Sequence, residues 1–236
     1  MFELLIRRHR SRWPLVAALV LASATCSLLI AARVVHTGRL TYAFLVYNLF
    51  LAWIPLGFAI AADSLDQWPS RQARVLTALC AGGWLLFFPN APYLMTDLMH
   101  LRVRDNRLFW LDVTALQAFA WTGIALGFVS LALMQRLVAR RVGRAASWLF
   151  AALVVGVSSF GIYLGRFRRW NSWDVVRNPS GLLSDAAGTI LHPFGNAQVV
   201  VYCAALGAFL FAAYLVFQAG TGLREDAGGG SGQRSD

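Results

Sequence analysis

Six long apolar stretches, separated by short polar ones, set the rhythm of this chain. They cover about Trp13–Ala32, Thr41–Ala62, Val75–Phe88, Val113–Met134, Trp148–Leu164 and Gln198–Gln218. A helix needs about 20 residues to cross a hydrocarbon layer about 30 Å thick. Five of the stretches reach or approach that length. The third has only 14 residues before Pro89, so it spans only if Pro89–Leu101 completes it as a kinked half-helix. The pattern predicts an all-α, polytopic transmembrane bundle of about six spans, with the third broken at Pro89/Pro92. One integral membrane domain is expected over residues 1–220. Residues 221–236, rich in Gly, Ser and charge, are expected to form a disordered tail.

Further elements are legible between the spans. Asn178-Pro179 is a strong helix start, with Asn as cap and Pro at the first helical position. Leu182, Leu183, Ala186, Ala187, Ile190 and Leu191 then recur at helical spacing, and Pro193 and Gly195 end the run. This predicts an amphipathic helix before the last span, either on the membrane surface or over the mouth of the bundle. At the N-terminus, the basic cluster in MFELLIRRHRSRWPLV precedes an apolar run too long for a signal-peptide core, and no clear A-x-A site follows. A retained first span is expected.

Composition agrees with the pattern. Hydrophobic residues make up 58%, above the 45–50% usual in soluble domains, and mean hydropathy is +0.57. Net charge is +10, and all 21 basic residues are arginine. In a soluble chain that charge would point to nucleic acid. Here most arginines flank spans, where they anchor helices and meet lipid headgroups. Membrane lipids are therefore the expected partners, and nucleic acid is not. Twelve arginines fall on one side of the six-span topology and nine on the other. The bias favours cytoplasmic termini in a bacterial inner membrane. Cys26, Cys80 and Cys203 lie inside apolar runs without a CxxC pair and read as small core residues.

Two polar motifs interrupt the apolar background. The first is FFPNAPYLMTDLMH, residues 87–100. Pro89 and Pro92 lack N–H groups, so the carbonyls of Leu85 and Phe88 lose their helical partners. Such carbonyls must find a donor or line a wet cavity, and the residue before each proline is expected to leave the helical region. Beyond the break, Asn90, Tyr93, Asp97, His100 and Arg104 recur every three or four residues. A helix from about Ala91 would put all but Asn90 on one face. Ala91, Leu94, Met95, Leu98 and Leu101 would cover the other. The polar face can donate, accept and exchange protons, against the plainer reading of a solvated helix face.

The second motif is GIYLGRFRRWNSWDVVRNP, residues 161–179. Asn171 reads as a cap, with Asp174 reaching back from the third helical position. Trp170 and Trp173 suit an interfacial belt. Arg166, Arg168 and Arg169 can reach lipid phosphates, or Arg166 or Arg169 can pair with Asp97 or an anionic ligand. In the six-span topology both motifs emerge on the same side.

PNAPYLMTDLMHL (89–101), YLGRFRRWNSWD (163–174) and the following Asn178-Pro179 resemble the paired signatures of DUF1361, a family of bacterial integral membrane proteins. The resemblance runs from about the second span to the sixth. It implies a polytopic membrane protein and carries neither a reaction nor a catalytic residue.

Among specific chemistries, Asp97 and His100 at i, i+3 could share an ion, with His192, Asp112 or Asp174 as third ligand. Metal sites usually need three protein ligands and no HExxH is present, so no metal is expected. Haem through His100 and His192 is disfavoured because both lie at span edges, and no cofactor is expected. Hydrolase, P-loop and dinucleotide signatures are absent. Two functions remain. One is recognition of an anionic lipid or envelope precursor in binding, transport or assembly, through Asn90, Tyr93, Arg104, Arg166, Arg169, Asn171 and Asp174. The alternative is a membrane-embedded enzyme acting on a lipid-linked substrate, with Asp97 and His100 in proton transfer.

Overall fold

The computed structural model describes residues 13–101, 108–192 and 195–229, with side chains to residue 221. Helices α1 (Trp13–Thr37), α2 (Phe44–Leu65), α3 (Arg71–Phe87) and α4 (Asn90–Thr96) come first. A 3₁₀ turn, Asp97–His100, follows α4. Then come α5 (Phe109–Val142), α6 (Arg144–Phe167), α7 (Asp174–Arg177), α8 (Pro179–Leu191) and α9 (Ala197–Gly229). No strand occurs among the described residues. Six helical stretches are long and apolar enough to cross a membrane, Arg71–His100 counting as one. The chain is an all-α, multi-pass membrane protein, as the hydrophobic pattern predicts.

The helix ends follow local chemistry. Ser70 caps α3, its hydroxyl accepting from the Ala73 N–H at 3.1 Å. Gly143, at φ 103°, separates α5 from α6, and only glycine takes that backbone without strain. Asn178 caps α8 by accepting from the Gly181 N–H at 3.1 Å, with Pro179 in the first turn. That is the start its sequence predicts. Leu183, Ile190 and Leu191 of α8 are exposed while Thr189 is buried, so apolar side chains of this helix point outward.

The chain divides into two compact units, residues 1–134 and 135–236. In the first, α2 packs along α3 and α4 around Leu45, Leu56, Trp84 and Leu94, all nearly fully buried. The Trp84 indole donates to Ser130 Oγ at 3.2 Å, giving a buried polar atom the partner it needs where there is no water. Gly123 and Gly127 of α5 let α4 approach closely. A Cβ on Gly123 would sit 2.5 Å from the Ala91 carbonyl oxygen. Small residues four apart commonly serve helix contact in membranes. Leu21, Leu28, Leu79 and Trp121 point outward, as lipid-facing side chains do.

The proline interruption is gentler than the sequence suggests. Phe88 stays at φ −53°, ψ −41° and Pro89 at φ −58°, ψ −25°. The expectation that the residue before each proline leaves the helical region is therefore corrected, since Ala91 before Pro92 also lies inside a helix, α4. The hydrogen bonding adapts instead. The Ala91 N–H turns to the Phe88 carbonyl at 3.1 Å, replacing the donor Pro92 lacks. The Phe87 carbonyl then accepts from the Asn90 side chain at 2.9 Å. These carbonyls are satisfied by protein, so the turn can sit packed against Gly123 and Gly127.

In the second unit α6 packs on α9. Gly207 lies against Ser159 and Gly156, again through small residues. The buried Tyr214 hydroxyl donates to Gln135 Oε1 at 2.6 Å, and Gln218 Nε2 donates to the same oxygen at 2.8 Å. Ring stacking of Phe160 on Tyr163 and of Tyr163 on Phe167 carries α6 to the second motif.

Candidate functional site

In the first unit, the polar residues of the first motif meet others that lie far away in sequence. Asp97 starts the 3₁₀ turn and is 1% exposed. Its Oδ2 accepts from Asn48 Nδ2 of α2 at 3.0 Å. His100 closes the turn, with Nδ1 3.7 Å from Asp97 Oδ1 and its ring edge-on to Phe44 at 5.1 Å. The 3₁₀ winding explains this placement. At three residues per turn, i and i+3 eclipse, so Asp97 and His100 stay together. It also corrects the expected division of faces. Asp97 is buried on the same side as Ala91 and Leu94, whereas Leu98 and Met99 are exposed.

The Tyr42 hydroxyl donates to the His100 carbonyl at 3.1 Å. Above the Tyr42 ring, 4.4 Å from its centre, lies the Arg33 guanidinium, a cation–π arrangement. Arg33 in turn donates to Asp112 through both prongs, Nε to Oδ1 at 2.5 Å and Nη2 to Oδ2 at 3.2 Å. Arg33 is 9% and Asp112 6% exposed. Planar two-pronged pairing is the strongest form such a bond takes. The third nitrogen, Nη1, is enclosed and has no hydrogen-bond partner among the described residues. The ends of α1 and the 3₁₀ turn and the beginnings of α2 and α5 thus carry one continuous polar cluster. It combines an enclosed cationic donor with an imidazole whose side chain is 38% exposed.

Sequence reasoning passed over Arg33, Tyr42 and Asn48, and weighed Asp112 only as a metal ligand. A usable signal existed. Arg33 closes the first span and Asp112 opens the fourth, and on a six-span count those ends share a side. Ionisable groups in such places are functional candidates.

The remaining predicted residues have clear local roles. Asn90 serves the Phe87 carbonyl. Tyr93 is half-buried, and its carbonyl accepts from Thr96 Oγ1 at 2.7 Å. Arg104 lies outside the described residues. In the second unit, Arg166 is half-buried near the end of α6. Arg169 is exposed at φ 63°, a left-handed backbone. Its neighbours are pinned from α8, where Asp185 receives Arg168 Nη2 and the Trp170 indole, each at 2.8 Å. Asp174 Oδ2 accepts from the Asn171 N–H at 2.7 Å, which is the predicted reach-back. The expected capping by Asn171 is corrected. Its side chain turns to Asp174, and the helix begins only at Asp174 and lasts four residues.

His192 is exposed at the end of α8, with Nδ1 3.2 Å from the Gly188 carbonyl. Among the described residues, no three His, Cys, Asp or Glu side chains gather to hold a metal ion.

No curated protein and no solved structure matches the chain. One family does, described as "Protein of unknown function (DUF1361)", over residues 47–213. That match takes in both polar motifs and most of the chain, and the chain therefore belongs to the DUF1361 family.

Proposed function

We propose that this membrane protein recognises an anionic lipid or lipid-linked envelope precursor at the membrane boundary, in a binding, transport or assembly role. The observation that carries the reading is Arg169. A side-chain-bearing residue in the left-handed region costs about 1–2 kcal/mol, and the turn after α6 would be relaxed by glycine. Arg169 directly follows the Arg168 C-cap of α6, the position where helices commonly turn left-handed and where glycine is the usual residue. An exposed guanidinium held there, beside an Arg168 already neutralised by Asp185, supports anion contact. The arginine bias supports cytoplasmic termini in a bacterial inner membrane.

The test uses the purified protein in nanodiscs of mixed phosphatidylcholine and phosphatidylglycerol. Retained lipid is counted by native mass spectrometry. Wild type is expected to enrich phosphatidylglycerol. Arg169→Gly should be more stable by about 1 kcal/mol and should lose several-fold of the enrichment. Equal retention of both lipids by wild type would defeat the reading.

A second reading, a membrane-embedded enzyme on a lipid-linked substrate, is favoured by the buried Asp97 carboxylate against the His100 imidazole. Under it, a deletion strain accumulates one lipid-linked species. Wild type clears that species, and Asp97→Asn at matched protein level does not. Indistinguishable lipid profiles would leave the binding reading alone.

A further inference from the structure

Arg33 presents an unusual ledger for a group enclosed at the end of a span. Two of its nitrogens are taken by Asp112, and its face lies on Tyr42. Nη1, with two N–H groups, is enclosed without an acceptor among the described residues. A charged donor left unsatisfied away from water is costly, and each such group in a folded protein calls for an explanation. The geometry is that of a half-used fork. Asp112 fixes the plane of the guanidinium and neutralises most of its charge, and one arm is left over.

We infer that the end of the first unit is an oxyanion site, with Arg33 Nη1 as its anchor. Its ligand is a phosphate group, either on a lipid headgroup or free in solution. The inference rests on the anionic-ligand reading and concerns the first unit by itself. A guanidinium arm suits a tetrahedral oxyanion because its N–H groups are directional and share a delocalised positive charge. Tyr42 links this anchor to the His100 backbone. An occupant of Nη1 therefore bears on the turn that holds Asp97 and His100, through an aromatic ring that touches both.

The experiment compares wild type, Arg33→Lys and the paired replacement Arg33→Met with Asp112→Leu. Arg33→Lys keeps a cation beside Asp112 but removes the spare arm. The paired replacement removes the site while leaving no unpaired charge, so a folding defect and a binding defect separate. Each protein is placed in neutral phosphatidylcholine nanodiscs and titrated with inorganic phosphate. In a second arm, each is scored for phosphatidylglycerol retention. Wild type is expected to bind at least one probe, and both variants to bind it at least about tenfold more weakly. Arg33-dependent binding of inorganic phosphate identifies a free oxyanion. Arg33-dependent retention of phosphatidylglycerol alone identifies a lipid headgroup. If wild type enriches phosphatidylglycerol in an Arg169-dependent way but both Arg33 replacements do so equally, this inference falls and the anionic-lipid reading stands. If wild type binds neither probe, an enclosed water satisfies Nη1 and the inference is overturned.

Discussion

Asp112→Ala is expected to destabilise the protein by about 3–5 kcal/mol, as removal of one member of a buried ion pair does. The reason is what remains. Arg33 is 9% exposed, sits at the end of a membrane span and would lose both acceptors at once. Its ring contact with Tyr42 compensates only in part, since a cation–π contact is worth about 0.5–2 kcal/mol. Replacing both partners by apolar residues behaves differently. Arg33→Met with Asp112→Leu should lie within about 1–2 kcal/mol of wild type, because two buried charges gain little over well-packed apolar groups. Denaturant unfolding in detergent micelles, read as a double-mutant cycle, checks this. A loss below about 1 kcal/mol in Asp112→Ala would mean that headgroups or water reach the guanidinium, and the cluster would not be a dry one.

The second large effect is expected at Gly123. Helix propensity alone favours alanine over glycine by about 1 kcal/mol, yet Gly123→Ala should lose stability by about 1–3 kcal/mol. Its Cβ would meet the Ala91 carbonyl oxygen at 2.5 Å and the Leu94 Cβ at 3.0 Å. Both are backbone or near-backbone atoms that cannot swing aside. Gly82→Ala provides the control, because nothing lies within 4 Å of its Cβ, and it should be neutral or stabilising. The functional consequence follows from position. α4 leads directly into the turn carrying Asp97 and His100, so pushing α4 away from α5 should loosen the Asn48–Asp97 contact. Faster hydrogen exchange at residues 97–101 in Gly123→Ala, and not in Gly82→Ala, is the expected sign. Equal exchange in the two would mean that the turn is positioned by something other than the approach of α4 to α5.

Much of the candidate site was legible because particular residues carry strong local rules. Pro89 and Pro92 mark the interruption of the third span, since neither can donate to the helical ladder. Asn178-Pro179 marks the start of α8, since the Asn side chain and the pre-set Pro backbone serve a helix opening. Asp174 reaches back to the Asn171 N–H for the same kind of local reason. The rule for the residue before proline failed at Phe88 because it describes a chain free to move. Here α4 is held against Gly123 and Gly127, and the hydrogen bonds shift by one residue rather than the backbone unwinding. The assumed continuous α-helical face beyond Ala91 failed, over its described part, for a related reason. The α-helix stops at Thr96 and tightens, which turns Asp97 inward with Leu94.

By itself, the sequence determined that the chain is a six-span helical membrane protein and where its polar interruptions lie. A bilayer accepts few backbone arrangements, and about 20 apolar residues without charge announce one of them. Only the tertiary structure decided which polar groups meet. Arg33 and Asp112 are 79 residues apart, and Asn48 and Asp97 are 49 apart. These spans are apolar nearly all round, so hydropathy says that each one crosses but not how it is rotated or which helix stands beside it. Those choices are made by close contacts between small residues, as at Gly123, and by the need of each buried charge to find a partner.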